Sequence, residues 1–272
     1  MSSRLRHVAV VNEQIAADGV YRTAGGSEVS IRDQLRGARA GTVSYTPDRL
    51  DELVDRPAPG PGDPRTEVTA EGSIEAARRL HTTHSRVGVL TFASARNPGG
   101  GYLRGARAQE EDLCRSALLY TCLTQAPDYY AAHRQSDDLR YSHRVIVSPD
   151  VPVIRDDRGE LAPPFPVTFL TAPAPNAGQL ARRADTADLG TVLAQRAERV
   201  IATAARHDIR ALVLGAWGCG VFANDPAVVA AAFDTALRRW GAAFDHVVFA
   251  VYDRDPASPN REAFESRFAP AR

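Results

Sequence analysis

Apolar residues recur along the chain with two different spacings. Four segments carry them three or four residues apart, as amphipathic helices do: 73–84, 109–125, 189–207 and 225–240. Five short runs rich in branched and aromatic residues are typical of strands: 87–94, 143–149, 166–173, 211–218 and 246–253. Several of these runs are almost continuously apolar, as strands covered on both faces are. The alternation predicts an α/β fold with ligands bound beyond the carboxyl ends of the strands.

The first part of the chain has a different pattern. Residues 5–21 carry apolar positions at helical spacing, and residues 27–41 offer a serine cap before a second amphipathic run. The proline- and glycine-rich stretch Arg56–Arg65 then interrupts regular structure. The sequence therefore predicts an N-terminal helical extension over residues 1–60 and a main catalytic domain over residues 61–272.

Composition narrows the function. The chain has 272 residues, 44% of them apolar, and equal numbers of basic and acidic residues, 33 each. A net charge of zero favours neither nucleic acid nor a membrane surface as partner. No lysine is present, which excludes a Walker lysine and a Schiff base. The number of cysteines is odd and they lack zinc-ligand spacing: Cys114, Cys122 and Cys219. Together with the lack of an apolar N-terminal segment, this predicts a cytoplasmic protein.

Two glycine clusters follow two of the predicted strands. Gly99, Gly100 and Gly101 come after the strand over 87–94 and lead toward a helix that begins with Glu110 and Glu111. The segment 215–226 follows the strand over 211–218 and leads into a helix with Asp225 as N-cap and Pro226 as its first residue. Glycines here allow positive φ and bring backbone N–H groups close to a diphosphate. A glycine run after a strand is also compatible with a simple turn.

The two glutamates also have two readings. Acidic residues in the first turn of a helix often only complement its dipole, by roughly 0.3–1 kcal/mol each. Alternatively, the glycine loop directs this helix start at a pocket, where the carboxylates do chemistry. Consecutive helical residues point about 100° apart, so we expect Glu110 and Glu111 to have different roles.

Three glycines, seven intervening residues and Gln-Glu-Glu, preceded by Asn97 and Pro98, resemble the signature of compact bacterial poly(ADP-ribose) glycohydrolases. The segment GAWGCGVF, residues 215–222, resembles the diphosphate-binding loop of that family. The resemblance implies a macrodomain-like mixed sheet sandwiched between helices. It also implies hydrolysis of ribose–ribose O-glycosidic bonds with release of ADP-ribose, mainly from chain ends, without cofactor or metal.

The resemblance assigns roles to individual residues. Glu111 would protonate the departing ribose oxygen, Glu110 would bind hydroxyls of the distal ribose, and Asn97 would orient that sugar. The loop over Gly99, Gly100 and Gly101 would lie against the distal ribose and the diphosphate. Further substrate contacts are expected from Gln109, Gly218, Cys219, Gly220, Val221 and Phe222.

Some candidates keep an alternative. Phe222 would press on the distal ribose, although a buried aromatic at a loop–helix junction is common. Phe249 or Tyr252 would stack on adenine, although an aromatic in an apolar strand is more often part of the core. Cys219 as a nucleophile ranks below acid catalysis because no histidine is near it in sequence. His81 and His84 lack the partners of a metal site and are expected at the surface.

Acid catalysis makes one demand on Glu111. A helix N-terminus favours the ionised carboxylate, so repulsion from Glu110 and from the substrate diphosphate, together with desolvation, must favour the protonated form. We therefore expect Glu111 to take up its proton mainly when substrate is bound.

The partners would be poly(ADP-ribose), ADP-ribose and ADP-ribosylated proteins, and the protein would act as a monomer. Two alternatives are a non-catalytic ADP-ribose-binding module, against which the Gln-Glu-Glu triplet argues, and a hydrolase of mono-ADP-ribose or O-acyl-ADP-ribose.

Overall fold

A computed structural model describes residues 2–253, 255 and 257–268. The strands are β1 (Val20–Arg22), β2 (Glu28–Ser30), β3 (Val43–Tyr45), β4 (Arg65–Thr69), β5 (Val87–Phe92), β6 (Val145–Arg155), β7 (Leu161–Ala172), β8 (Ala211–Leu214) and β9 (His246–Ala250). The helices are α1 (Ser3–Asp18), α2 (Arg32–Ala40), α3 (Pro47–Asp55), α4 (Ser73–His81), α5 (Gln109–Ser116), α6 (Leu119–Leu123), α7 (Pro127–Arg134), α8 (Ala177–Arg182), α9 (Leu189–Arg206), α10 (Pro226–Trp240) and α11 (Pro259–Phe268). Short 3₁₀ turns cover Tyr102–Arg104 and Gly241–Ala243.

Seven strands form the main sheet, in the order β3-β6-β7-β5-β8-β9-β4. The strands from β7 to β4 pair in parallel, whereas β6 pairs antiparallel with both β7 and β3. One apolar core lies between the sheet and helices α3, α9, α10 and α11. A second core lies on the opposite face, under α4, α5, α6 and α7. The predicted mixed sheet between two helical layers is therefore the observed architecture.

The N-terminal region is less helical than its pattern predicts. Three helices alternate with β1, β2 and β3. The strands β1 and β2 form a separate hairpin, while β3 joins the edge of the main sheet beside β6. Three-residue strands are too short to show a period of two, which is why the sequence pattern missed them.

Helix α1 is tied to the main domain by a buried polar contact. The side chain of Asn12 donates to the carbonyl oxygens of Cys114 (3.3 Å) and Arg115 (2.7 Å) at the end of α5. Its own oxygen accepts from the Arg155 guanidinium at 2.7 and 3.1 Å. Because Asn12 is fully buried, these bonds join the N-terminal helix, α5 and β6 into one rigid unit.

Three predicted elements need correction. The helix predicted over 109–125 is two helices, because the amide of Leu118 donates instead to Pro152 in β6, at 3.1 Å. Strands β6 and β7 run much further than predicted, since the prolines in both lie in a hairpin with bulges that tolerate them. Strand β4 was missed because its sequence, RTEVT, is mostly polar. No helix in the described ranges is long and apolar enough to span a bilayer.

Candidate active site

The two glycine clusters lie at the same edge of the sheet. Strands β5 and β8 are adjacent and parallel, with Val87 paired to Ala211, so their carboxyl ends point the same way. The loops that follow them contain the glycines. A Cβ placed on Gly215 would lie 3.1 Å from the ring of Phe92 at the end of β5. The starting points of the two loops are therefore close together.

The first glycine loop is a chain of tight turns. Gly99 and Gly100 have φ of 62° and 57°, the left-handed region that glycine adopts without strain. The amide of Gly100 donates to the carbonyl of Asn97 at 3.0 Å. The amide of Gly101 donates to Glu111 Oε1 at 2.8 Å. The N–H groups of this loop are therefore used inside the protein.

Glu110 and Glu111 both turn back onto this loop from the first turn of α5. They are 3% and 8% exposed. Glu110 Oε2 accepts from the amide of Ser94 at 2.6 Å. A Cβ on Gly100 would lie 2.5 Å from Glu111 Oε1 and 3.1 Å from Glu110 Oε2, so only glycine lets both carboxylates approach. As their different directions on the helix predict, the two carboxylates are held by different amides, those of Ser94 and Gly101. Both side chains nevertheless reach the same glycine.

Each carboxylate keeps one oxygen without a partner. Glu110 Oε1 and Glu111 Oε2 are buried and have no hydrogen bond to any described residue. Unsatisfied buried carboxylate oxygens cost free energy and are therefore rare outside functional sites. The pair thus offers two open acceptor or donor positions to a ligand.

Burial raises the pKa of the Glu110 carboxyl well above its usual range, and the neighbouring Glu111 charge raises it further. The amides of Ser94 and Gly99 act in the opposite direction on this pKa. The net effect favours the protonated form of Glu110. A protonated carboxyl beside a second carboxyl is a recognised arrangement for acid–base chemistry.

The side chain of Gln109 is engaged by three hydrogen bonds within the protein. Its side-chain oxygen accepts from the amide of Phe92 at 2.8 Å, and its nitrogen donates to the carbonyl of Leu90 at 2.8 Å. A third bond reaches Ser73 Oγ at 3.2 Å. The side-chain amide of Gln109 thus fastens the start of α5 to β5, and its role as a substrate contact stays a prediction.

The second glycine loop leaves its amides open. Asn224 braces it by donating to the carbonyls of Pro175 (2.8 Å) and Gly218 (3.0 Å). The amides of Gly220, Val221 and Phe222 have no hydrogen-bond partner in the described part of the chain. Successive free N–H groups form an anion-binding nest. The predicted cap is present directly after it, since Asp225 accepts from the amide of Ala227 at 2.8 Å and Pro226 begins α10.

Phe222 and Tyr141 form an aromatic wall beside this loop. Their ring centroids are 6.1 Å apart, and Phe222 is only half-buried. Tyr141 has φ of 59°, and its carbonyl accepts from the fully buried Arg196 at 3.1 Å. Arg196 also donates to the carbonyl of Pro173 at 2.8 Å. Sequence analysis singled out neither Tyr141 nor Arg196. Nothing in the local sequence distinguishes a buried arginine that bridges distant loops from an exposed one.

The other residues predicted from the sequence differ in their exposure. Phe249 has no exposed surface, and its ring stacks on Phe268 at 4.0 Å; this corrects its assignment to adenine, since no face is left for a base. Tyr252 is 67% exposed and Asn97 is also exposed, so both can reach a ligand. Burial raises the pKa of the Cys219 thiol to about 12, which keeps it protonated and disfavours it as a nucleophile.

Two buried tyrosines lie close to the carboxylates. The hydroxyls of Tyr129 and Tyr130 in α7 have no partner among the described residues. Burial raises the pKa of both phenols well above the usual value, and the charge of Glu110 adds to the shift. They remain protonated donors near neutral pH. Sequence analysis did not single them out because they lie in α7, a helix that the pattern did not predict.

Comparison with known proteins identifies relatives. The sequence model of the family described as "Microbial-type PARG, catalytic domain" matches residues 9–156. No curated protein sequence matches the chain.

Among solved structures, a poly(ADP-ribose) glycohydrolase (PARG) from Thermomonospora curvata is 44% identical, with 98% of this chain and 100% of that chain covered and a TM-score of 0.94. The Thermomonospora enzyme bound to the inhibitor ADP-HPD is also 44% identical, with the same coverage and a TM-score of 0.91. The Deinococcus radiodurans enzyme in complex with ADP-ribose is 46% identical over 85% of this chain and 95% of that chain, with a TM-score of 0.79. The macrodomain-like fold and the resemblance inferred from the two motifs are thereby confirmed: the chain belongs to the microbial-type poly(ADP-ribose) glycohydrolases, a family of glycoside hydrolases.

Proposed function

We propose that Glu111 is the general acid with which this glycohydrolase cleaves the ribose–ribose bond of poly(ADP-ribose). The observation that carries the proposal is the asymmetric anchoring of its carboxylate. One oxygen is held by the Gly101 amide at 2.8 Å, while the other is buried without a partner among the described residues. A leaving ribose oxygen that enters the pocket would satisfy the second oxygen and receive its proton there.

Glu110 has a supporting role in this proposal. The raised pKa of Glu110 favours its protonated form, and its free Oε1 is available to a ribose hydroxyl. Asn97 would orient the same sugar. The diphosphate of bound substrate adds negative charge, which further favours protonation of the pair.

The second glycine loop would stabilise the reacting sugar indirectly. Its free amides at Gly220, Val221 and Phe222 would hold the diphosphate. The bound diphosphate in turn stabilises the positive charge that develops on the ribose in the transition state. Ordinary glycosidases place two carboxylates on opposite sides of the bond. Here both carboxylates come from one helix turn, so a single acid, Glu111, protonates the leaving group. Its carboxylate then deprotonates the attacking water.

The substrate end accepted by this site is the terminal ADP-ribose unit. The solved Deinococcus relative is in complex with ADP-ribose and the Thermomonospora relative with ADP-HPD, which supports an ADP-ribose pocket here. Phe222, braced by Tyr141, would press on the distal ribose and favour chain ends over chain interiors. Tyr252 would cover the adenine. ADP-ribosylated proteins would be the physiological carriers of the polymer.

The test compares the wild-type chain with Glu111→Gln on purified poly(ADP-ribose). The substitution removes the proton donor but keeps the shape, so ADP-ribose release should fall roughly 10²–10⁴-fold while ADP-ribose binding by calorimetry persists. Asp112→Asn, on the same helix turn but exposed, is the matched control and should retain activity. Full activity in Glu111→Gln would refute the assignment.

The same assay separates the alternatives. A wild-type chain that binds ADP-ribose but does not cleave polymer would be a binding module. Cleavage of mono-ADP-ribosylated protein or O-acyl-ADP-ribose in place of polymer would indicate the third function.

A further inference from the structure

We propose that Arg6, Arg104 and Arg107 form a basic rim that binds the diphosphate of the polymer unit on the leaving-group side of the scissile bond. The inference rests on the proposed function, in which Glu111 delivers a proton to that leaving group. It assigns a substrate contact outside the ADP-ribose pocket.

Arg104 and Arg107 flank one turn, and Arg6 of α1 lies against the same turn although it is distant from them in sequence. Arg104 ends the 3₁₀ turn after the first glycine loop, and Arg107 lies two residues before α5. Between them, the carbonyl of Gly105 accepts from the amide of Ser2 at 3.4 Å. A Cβ on Gly105 would lie 3.1 Å from Cγ of Arg6, so the stem of Arg6 lies directly on this turn.

The turn is also connected to the proposed acid. The amide of Ala106 donates to the carbonyl of Gly101 at 3.1 Å, and the amide of Gly101 donates to Glu111 at 2.8 Å. Two consecutive hydrogen bonds therefore link the rim to the carboxylate. Glu111 is buried while the three arginines are exposed, and the departing polymer must pass from the buried acid to solvent.

The charge of the rim is not neutralised within the described residues. None of the three guanidinium groups has an ion-pair or hydrogen-bond partner there. The neighbouring acidic side chains are engaged elsewhere: Asp112 lies 3.6 Å from Arg115, and Glu13 accepts from the Tyr102 hydroxyl at 3.3 Å. Because the whole chain has no net charge, a polyanion can be attracted only by such local clusters.

The shape of this surface fits an anionic group. A solvent-open recess is lined by Ser2, Gly105, Ala106 and Arg107. Guanidinium groups bind phosphate oxygens with two parallel hydrogen bonds. A polymer cut at its terminal unit continues from the leaving ribose through a diphosphate with two negative charges. The rim would hold that diphosphate and align the leaving oxygen with Glu111.

The test uses the triple variant Arg6→Gln, Arg104→Gln, Arg107→Gln in the full chain. Three exposed charged contacts predict a roughly tenfold loss of kcat/KM on long poly(ADP-ribose) at low salt. The loss should shrink as salt screens the wild-type contacts. An aryl ether of ADP-ribose, whose leaving group carries no phosphate, should be cleaved by both proteins at the same rate. ADP-ribose affinity should also be unchanged.

The matched control removes three other exposed arginines, at Arg56, Arg86 and Arg158, and changes the net charge equally. It should retain wild-type kinetics. The rim is overturned if the triple variant cleaves polymer like wild type, if the control loses as much, or if ADP-ribose affinity falls with it. A wild-type chain without polymer cleavage would instead overturn the proposed function, and the rim with it.

Discussion

The two glycine loops use the same residue type in opposite ways. In the first loop the amide of Gly101 binds Glu111 and that of Gly100 closes a turn onto Asn97. In the second loop three consecutive amides, from Gly220 to Phe222, have no partner in the described part of the chain. The first loop holds the two carboxylates in place, and the second leaves open the donors that we propose bind the diphosphate.

The comparison shows that a glycine cluster near a strand end has no single meaning. Gly100 is required by side chains that crowd its α-carbon, since both glutamates approach it. Gly220 has no atom within 4 Å of the position of a Cβ. The protein itself therefore does not require a glycine at position 220, and we propose that the substrate diphosphate does.

The largest effect is expected for Gly100→Ala. An alanine here would have to adopt φ of 57°, and its methyl group would lie 2.5 Å from Glu111 Oε1. Both carboxylates must therefore move. A displacement of about 1 Å costs on the order of 100-fold in rate, and kcat on poly(ADP-ribose) should fall by at least that factor. ADP-ribose affinity should fall by a smaller factor, because the free amides of the second loop remain in place to hold the diphosphate. The control is Gly37→Ala, an exposed helical glycine with open space; equal activity in the two variants would remove the distinction.

Gly220→Ala should have the complementary effect. Nothing in the protein opposes the methyl group, so the melting temperature should stay at the wild-type value. The bound diphosphate would meet it, and ADP-ribose affinity by calorimetry should fall roughly tenfold, or about 1.4 kcal/mol. An unchanged affinity would show that the second loop does not approach the ligand.

The smallest effect is a gain in stability for Glu110→Gln. The pKa of this carboxyl is raised by burial from 4.5, so its ionisation in the folded state opposes folding. The wild-type protein therefore loses stability as the pH rises from 4.5 through the folded-state pKa. The variant should be more stable by roughly 0.5–2 kcal/mol at neutral pH.

Thermal unfolding across pH checks this prediction. The difference between Glu110→Gln and wild type should be small below pH 4.5 and should widen as the pH rises. Glu52→Gln, which changes an exposed carboxyl on α3, serves as the control and should follow the wild-type curve. A difference independent of pH would point to packing rather than charge.

Much of the fold was predictable where neighbours in sequence determine the structure. The cap of α10 is local, because Asp225 binds an amide two residues away. The central strands are recognisable from their unbroken apolar character. Strand β3 was not predictable, since its three residues become a strand only by pairing with β6, about 100 residues later.

The site shows the same division. The two motifs indicated the family and the carboxylates, because the spacing of glycines and glutamates is itself a sequence feature. The partners of those carboxylates were not readable. Glu110 binds the amide of Ser94, and Gln109 binds that of Phe92, bonds that exist only because α5 folds back onto the end of β5.

By itself, the sequence determined the alternation of helices and strands, the glycine loops and the acidic helix start. Tertiary structure alone decided that Phe249 is core while Tyr252 is exposed, that Arg196 is buried, and that Arg6 lies against the turn between Arg104 and Arg107. The physical reason is the range of the interactions. Helix caps and periodicities depend on residues a few positions apart, whereas burial and charge clustering depend on which distant segments the folded chain brings together.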